Sequence, residues 1–267
     1  MRVELQDLGK RFGRVAALIG VSLELPAGSR TALIGPNGSG KLSSTGEVRF
    51  DGAAAGEDRR ALAQRIAYVP QIAPRLAAPV RDVVRACAGL RGAPWGAVAD
   101  VAGDLDIDLD ALARRPFRAL SGGQRQKVMA ALALASSAEL LLLDEPTASM
   151  DPHSRAVFFR RIEALPGSTT ILLCSHRLDE IRRLVDRVVV LAEGRLAWQG
   201  PAGAYLDGHA DAIVEVDATG ERAAEWLAAH GFVRGAIGWW SRSLSVRERA
   251  GLFGEIGRNL NGQVRDV

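Results

Sequence analysis

Leu140-Leu141-Leu142-Leu143-Asp144-Glu145-Pro146 is the stretch whose reading decides the fold. Four consecutive leucines fit a strand buried on both faces of a parallel sheet. Pro146 ends it, because proline has no N–H to give to the ladder. Asp144 and Glu145 then emerge at the sheet's carboxyl edge, where open α/β folds bind ligands. One carboxylate there suits a Mg²⁺ ion and the other can take a proton from water. An ordinary buried strand with an acidic turn would carry the same residues, so other segments must decide.

Upstream, Thr31 to Ile34 reads as a short buried strand running into Gly35-Pro36-Asn37-Gly38-Ser39-Gly40-Lys41. That heptad fits G-x-x-x-x-G-K, in which glycines let backbone N–H groups point at phosphate oxygens and the lysine reaches the β- and γ-phosphates. The motif also calls for Ser or Thr next, to hold Mg²⁺, and then a helix. Here Leu42 follows, and only Leu42-Ser43-Ser44-Thr45 precede Gly46 to Phe50, which reads as a new strand. Four residues cannot form a crossover helix of three turns. Either residues are absent between Lys41 and Leu42 of this sequence, or the chain has lost its phosphate helix. The first is favoured, because losing a buried helix would leave a sheet face uncovered.

Four further segments bear on the site. Tyr68-Val69-Pro70-Gln71 ends a strand at a proline. Leu120-Ser121-Gly122-Gly123-Gln124 precedes a helix expected from about Arg125 to Ser136, with Ser121 as N-cap and two glycines offering N–H groups to an anion. Ala148-Ser149-Met150-Asp151-Pro152 is a loop with Asp151 as N-cap and Pro152 at the first helical position. Thr169 to Cys174 is another buried strand, delivering Ser175 and His176 to the edge that carries Asp144. Phe12 is read as part of a turn, Lys10 to Gly13.

Composition bounds the remainder. The 267 residues, 48% hydrophobic, suffice for one large α/β domain and a small appendage. No charged-then-apolar leader and no bilayer-length apolar run is expected. Cys87 and Cys174 lack metal or disulfide spacing and read as lone thiols in a reducing compartment. A net charge of +3 is too small to imply nucleic acid. Residues 72–138 turn helical (Val80, Val83, Val84 and Cys87; Leu105, Leu109 and Leu112), as an insertion between two parts of one sheet. Gly200 to Gly203 marks a boundary, after which strand and helix alternate as in a small ferredoxin-like sandwich.

In this order and spacing, the six motifs resemble the ATP-binding subunits of ABC transporters over residues 1 to about 205. The resemblance implies an α/β P-loop NTPase (RecA-like) core at 1–205 with a helical subdomain at about 72–138. A small α+β domain at 206–267 is expected beside it, similar to the appendages of multidrug and copper-enzyme-maturation exporters. The family implies ATP and Mg²⁺ as cofactors. Phe12 would stack on adenine, and Gly35, Pro36, Asn37, Gly38, Ser39, Gly40 and Lys41 would grip the phosphates. Asp144 and Gln71 would serve the metal, Glu145 would be the general base, and His176 would hold the γ-phosphate. Ser121, Gly122, Gly123, Gln124 and Asp151 would complete the site of a second, identical subunit.

The implied function is ATP hydrolysis at the cytoplasmic face of the inner membrane, driving transport through a separate membrane-spanning subunit. Export is the favoured direction, with no nucleic-acid partner. A soluble ABC ATPase acting on ribosomes or DNA is the alternative. A non-hydrolysing ATP-binding module follows if the loss after Lys41 is genuine.

Overall fold

A computed structural model describes residues 1–13, 15–35, 42–175, 177–209, 211–218, 221–234, 239–260 and 264–266. The chain divides into two units, Met1–Ala202 and Gly203–Val267. The first opens with β1 (Val3–Phe12), β2 (Val15–Leu25), β3 (Arg30–Ile34), β4 (Leu42–Phe50) and β5 (Ala53–Ala54). After α1 (Arg59–Arg65) and β6 (Ile66–Val69) come the helices α2 (Val80–Gly89), α3 (Trp95–Asp104), α4 (Leu109–Leu112) and α5 (Gly122–Leu134). Then β7 (Leu140–Asp144), α6 (Pro152–Glu163), β8 (Thr170–Cys174), α7 (Leu178–Leu184), β9 (Arg187–Ala192) and β10 (Arg195–Pro201) complete it.

Six strands form the central sheet in the order β10-β9-β3-β8-β7-β6, parallel except for the β10 edge. The steps β6→β7→β8→β9 all travel one way across this sheet, so right-handed crossovers place their helices on one face. Leu141, Leu143, Ile171 and Leu173 belong to that face and lie in one core with Val84, Val101, Val128 and Phe158 of the helices. The helical region forms for the expected reason: Val80, Val83, Val84 and Ala88 line up at helical spacing and are buried.

The step β3→β6 travels the opposite way, so its connection must cover the other face. What lies there is a second sheet, antiparallel, in the order β2-β1-β4-β5. Leu140 packs with Met1, Val3 and Leu25, while Leu142, Leu172, Val48 and Phe50 are only partly buried against them. Thr170 pins the two sheets: its hydroxyl donates to the Met1 carbonyl at 2.6 Å and accepts from the Gly28 N–H at 2.9 Å. Gly46, at φ +83°, sits opposite a bulge in β1, where an added Cβ would come within 2.3 Å of the Asp7 carbonyl oxygen. Only glycine fits that approach.

Two expectations are corrected here. Leu42-Ser43-Ser44-Thr45 is no spacer: these residues pair with Phe12, Arg11, Lys10 and Gly9 as the first half of β4. Phe12 accordingly ends a strand instead of sitting in a turn. Pairing with β1 wins because alternate residues of β4 continue one antiparallel ladder.

In the second unit, α8 (Ala202–His209) begins at the boundary, followed by β11 (Asp211–Ala218), α9 (Glu221–Ala229), β12 (Val233–Arg234), β13 (Trp239–Ser245), α10 (Val246–Asn259) and β14 (Val264–Asp266). Its four strands pair antiparallel in the order β12-β13-β11-β14. Val216, Ala223, Leu227, Phe232, Trp240 and Leu252 form its core, which places Trp240 inside.

Candidate functional site

The parallel register decides where the acids go. Leu33 of β3 and Asp144 of β7 both lie level with Cys174 of β8, and Val69 of β6 is level with Leu143. Gly35, Gln71, Asp144, Glu145 and Ser175 therefore leave four adjacent strands at one carboxyl edge. Pro36, Asn37, Gly38, Ser39, Gly40, Lys41 and His176 lie outside the described residues. Phe12 pairs with Leu42, the residue that follows the lysine of the glycine loop.

Glu145 is buried, and its backbone is in the left-handed region at φ +44°. The amide donates to the Cys174 carbonyl at 2.9 Å, which fixes the turn out of the strand. A non-glycine residue held there is uncommon and marks a segment whose surroundings determine it. Tyr68 Oη donates to Asp144 Oδ2 over 3.4 Å, and burial with the Asp144 charge raises the phenol above its ordinary range. Burial first, then Asp144 and Glu145, push the Cys174 thiol up to about 11. Both cysteines are free and half-buried.

Ser121 caps α5 through a full capping box: its hydroxyl accepts from the Gln124 N–H at 3.1 Å, and Gln124 Oε1 accepts from the Ser121 N–H at 3.0 Å. The helix starts at Gly122, three residues earlier than expected, because this reciprocal pair closes its first turn. Helix geometry leaves the Gly122 and Gly123 N–H groups to outside acceptors, at the positive end of the dipole. A Cβ on Gly123 would stand 2.8 Å from the Ser149 carbonyl oxygen, so the helix tip lies directly against the loop after β7.

Asp151 caps α6 by accepting from the Ser154 N–H at 2.9 Å, and Lys127 Nζ of α5 reaches it at 2.7 Å. Lys127 above all, then Ser154, hold that carboxyl well below its usual range. Among the described residues no cluster of three His, Cys, Asp or Glu side chains is placed to hold a metal. Mg²⁺ needs no such cage, since it keeps waters and uses one or two carboxylates plus substrate phosphates; Asp144 supplies one carboxylate at this edge.

Sequence reasoning missed two buried polar groups that shape this edge. Gln126, 2% exposed, donates Nε2 to the Pro70 carbonyl at 2.9 Å and to the Pro146 carbonyl at 3.3 Å. Glu180, fully buried on α7, accepts from the Thr147 hydroxyl and lies 3.5 Å from Arg177 Nε. Helical spacing alone shows neither, although a glutamine on the apolar side of α5 is the available signal.

Comparison with known proteins gives the family. The ABC transporter family profile fits residues 18–148. The sulfate/thiosulfate import ATP-binding protein CysA of Bradyrhizobium diazoefficiens is 32% identical, covering 100% of this chain and 86% of its own. That alignment runs over 308 positions, more than the 267 residues available here, so the relative carries residues with no counterpart in this chain. The Nod factor export ATP-binding protein I of Burkholderia lata is 30% identical over 77% of this chain and 72% of its own. Against two other relatives the chain spans 61% and 60% of their length. A solved structure, the ATP binding subunit of an ABC transporter, shares the fold at TM-score 0.65 and 23% identity, covering 75% of this chain and 90% of its own. With this edge, these motifs and these relatives, the chain belongs to the ABC transporter family as one of its ATP-binding subunits.

Proposed function

We propose that the chain binds and hydrolyses ATP between two copies of itself and so drives transport through a membrane-spanning partner subunit. The observation that carries this reading is the delivery of Asp144 and Glu145 to the carboxyl edge beside Gly35, Gln71 and Ser175. Phosphoryl transfer asks for positioning and for charge on the γ-phosphate more than for covalent chemistry. In this reading Asp144 orients the metal, and bound Mg²⁺ neutralises phosphate charge. Glu145 takes the proton of the attacking water, and Gln71 and His176 hold water and phosphate in line. The glycine loop 35–41 grips the nucleotide, with Phe12 against the base. The second copy lends the Gly122 and Gly123 N–H groups, and its Asp151 relays closure.

No helix among the described residues is long and apolar enough to cross a membrane, which suits docking on a separate spanning subunit at the cytoplasmic face. The relatives named above include an import and an export subunit alike, so they lend no support to export over import. The region 72–138 serves as the helical subdomain and 206–267 as a ferredoxin-like appendage. The test is a pull-down from detergent-solubilised membranes with ATP turnover measured on what is recovered. A membrane-spanning companion and turnover support the reading; recovery with ribosomes and no such companion overturns it.

One observation favours a second reading, a module that binds ATP without hydrolysing it. β4 starts at Leu42, so neither a Ser/Thr nor a helix follows Lys41 directly. Stable ATP binding with no turnover by the recovered assembly would select it.

A further inference from the structure

The helical region of the first unit carries a patch of one charge that the proposed chemistry does not use. From Arg59 to Arg81, and again from Ala111 to Ala138, the sequence holds no Asp or Glu. Folding lays these two stretches against each other. The Phe117 and Arg118 amides donate to the Ala78 and Leu76 carbonyls at 2.9 and 2.8 Å. In return, the Val80 and Arg81 amides donate to the Arg115 and Ala113 carbonyls at 2.9 and 3.0 Å. Phe117 is buried and anchors the pair, whereas Arg75, Arg81, Arg114, Arg115 and Arg118 around it are all exposed. Arg85, also exposed, joins them one turn along α2 from Arg81, away from the buried Val80, Val83 and Val84.

Little neutralises this charge. Among the described residues, Arg81 alone of the six has an acidic partner, the exposed Asp82 at 3.4 Å. The nearby aspartates are engaged elsewhere. Asp104 pairs with Arg161 of α6, Asp108 caps α4, and Asp110 accepts from the Trp95 indole at 3.2 Å. Like charges so placed repel one another, and the array costs stability unless an anionic surface meets it. At its edge stand two apolar side chains open to water, Ile72 at 79% and Leu76 at 41% exposed. Arginine beside exposed aliphatic side chains is the composition of a surface that lies on lipid headgroups.

We propose that this face binds an anionic phospholipid surface directly, its arginines on headgroup phosphates and Ile72 and Leu76 entering the interface. Planar guanidinium groups match phosphate oxygens two at a time. The arginines come from separate backbone segments, so the array extends in two dimensions. A bilayer offers a phosphate under each of them, whereas one acidic peptide follows a single line. The inference rests on the proposed function for bringing the chain to a membrane. It goes beyond that reading by giving the subunit a lipid contact of its own, besides its docking on a spanning partner.

The test is flotation of the full chain with vesicles, without ATP and without any partner subunit. Vesicles of equal parts phosphatidylglycerol and phosphatidylcholine should carry the chain, and pure phosphatidylcholine should not. Salt that shortens the Debye length from about 10 Å to about 3 Å should release it. Arg114→Gln with Arg118→Gln should weaken binding roughly 25-fold, about fivefold for each charge. Arg182→Gln with Arg195→Gln removes equal charge elsewhere on the first unit and should change binding less than about fivefold. Ile72→Ser should weaken it about tenfold through the lost apolar side chain. All five substituted side chains are exposed. No preference for the anionic vesicles, equal weakening by the two arginine pairs, or parent affinity in Ile72→Ser overturns the inference. So does a chain that ignores vesicles yet co-purifies with a spanning subunit through Arg114 and Arg118, which makes the occupant an acidic protein segment. Lipid binding by a chain whose assembly never turns ATP over leaves this surface standing and removes the nucleotide reading; turnover without lipid binding does the reverse.

Discussion

Gln126 Nε2 lies 2.9 Å from the carbonyl oxygen of Pro70, the residue before Gln71. The same amide reaches Pro146, the residue after Glu145, at 3.3 Å. One side chain of the Ser121-capped helix thus holds two strand exits that carry candidate catalytic groups. Gln126→Leu keeps the volume but leaves two carbonyls without their donor, and an unmet buried group costs about 1–3 kcal/mol. Urea unfolding should show that loss with an unchanged slope. A stability within about 0.5 kcal/mol of the parent, the range of unimportant surface changes, would mean water replaces the amide.

Gly123 and Gly122 make a matched pair. A methyl on Gly123 meets the Ser149 carbonyl oxygen at 2.8 Å, whereas one on Gly122 meets nothing within 4 Å. Gly123→Ala should destabilise by roughly 1–3 kcal/mol through forced backbone shifts. Gly122→Ala should be neutral or gain up to about 1 kcal/mol, through a less flexible unfolded chain. Thermal melts of both variants check this, and equal midpoints would refute the close approach.

Cys174 makes stability depend on alkaline pH. Its thiol is pushed from 9.0 up to about 11 in the folded chain. Between those values the unfolded chain has lost a proton that the folded chain keeps, so folding weakens as pH rises through that window. Below pH 9 the contribution is fully present. Comparing the parent with Cys174→Ala at pH 8 and pH 10, the parent should lose more stability between the two. Alkylation of Cys174 at pH 8 should also run slower in the folded chain than in the unfolded one.

Much of this edge is legible in the sequence because short motifs carry their own geometry. The leucine run fits a strand buried on both faces, and Pro146, with no N–H for the ladder, ends it. Ser121 and Asp151 announce their caps by residue type and position. The sequence places the first turn of α5 three residues late because Gly122 and Gly123 are poor helix formers, and the reciprocal bond with Gln124 overrides propensity. The sequence starts this strand at Gly46, four residues late, because two serines and a threonine carry little strand signal until a partner strand is present. Long-range partnerships such as Gln126 with Pro70, or Thr147 with Glu180, have no periodic signature. They depend on which elements the fold brings together.

The most direct measurement is ATP turnover by the assembled transporter with Glu145 and with Glu145→Gln, alongside ATP binding to both. Loss of the general base should lower turnover by about 10²–10⁴, while binding persists, since the amide keeps the shape of the turn and removes only the proton acceptor. Turnover by Glu145→Gln at the parent rate would contradict the assignment of the base and, with it, the proposed chemistry of this edge.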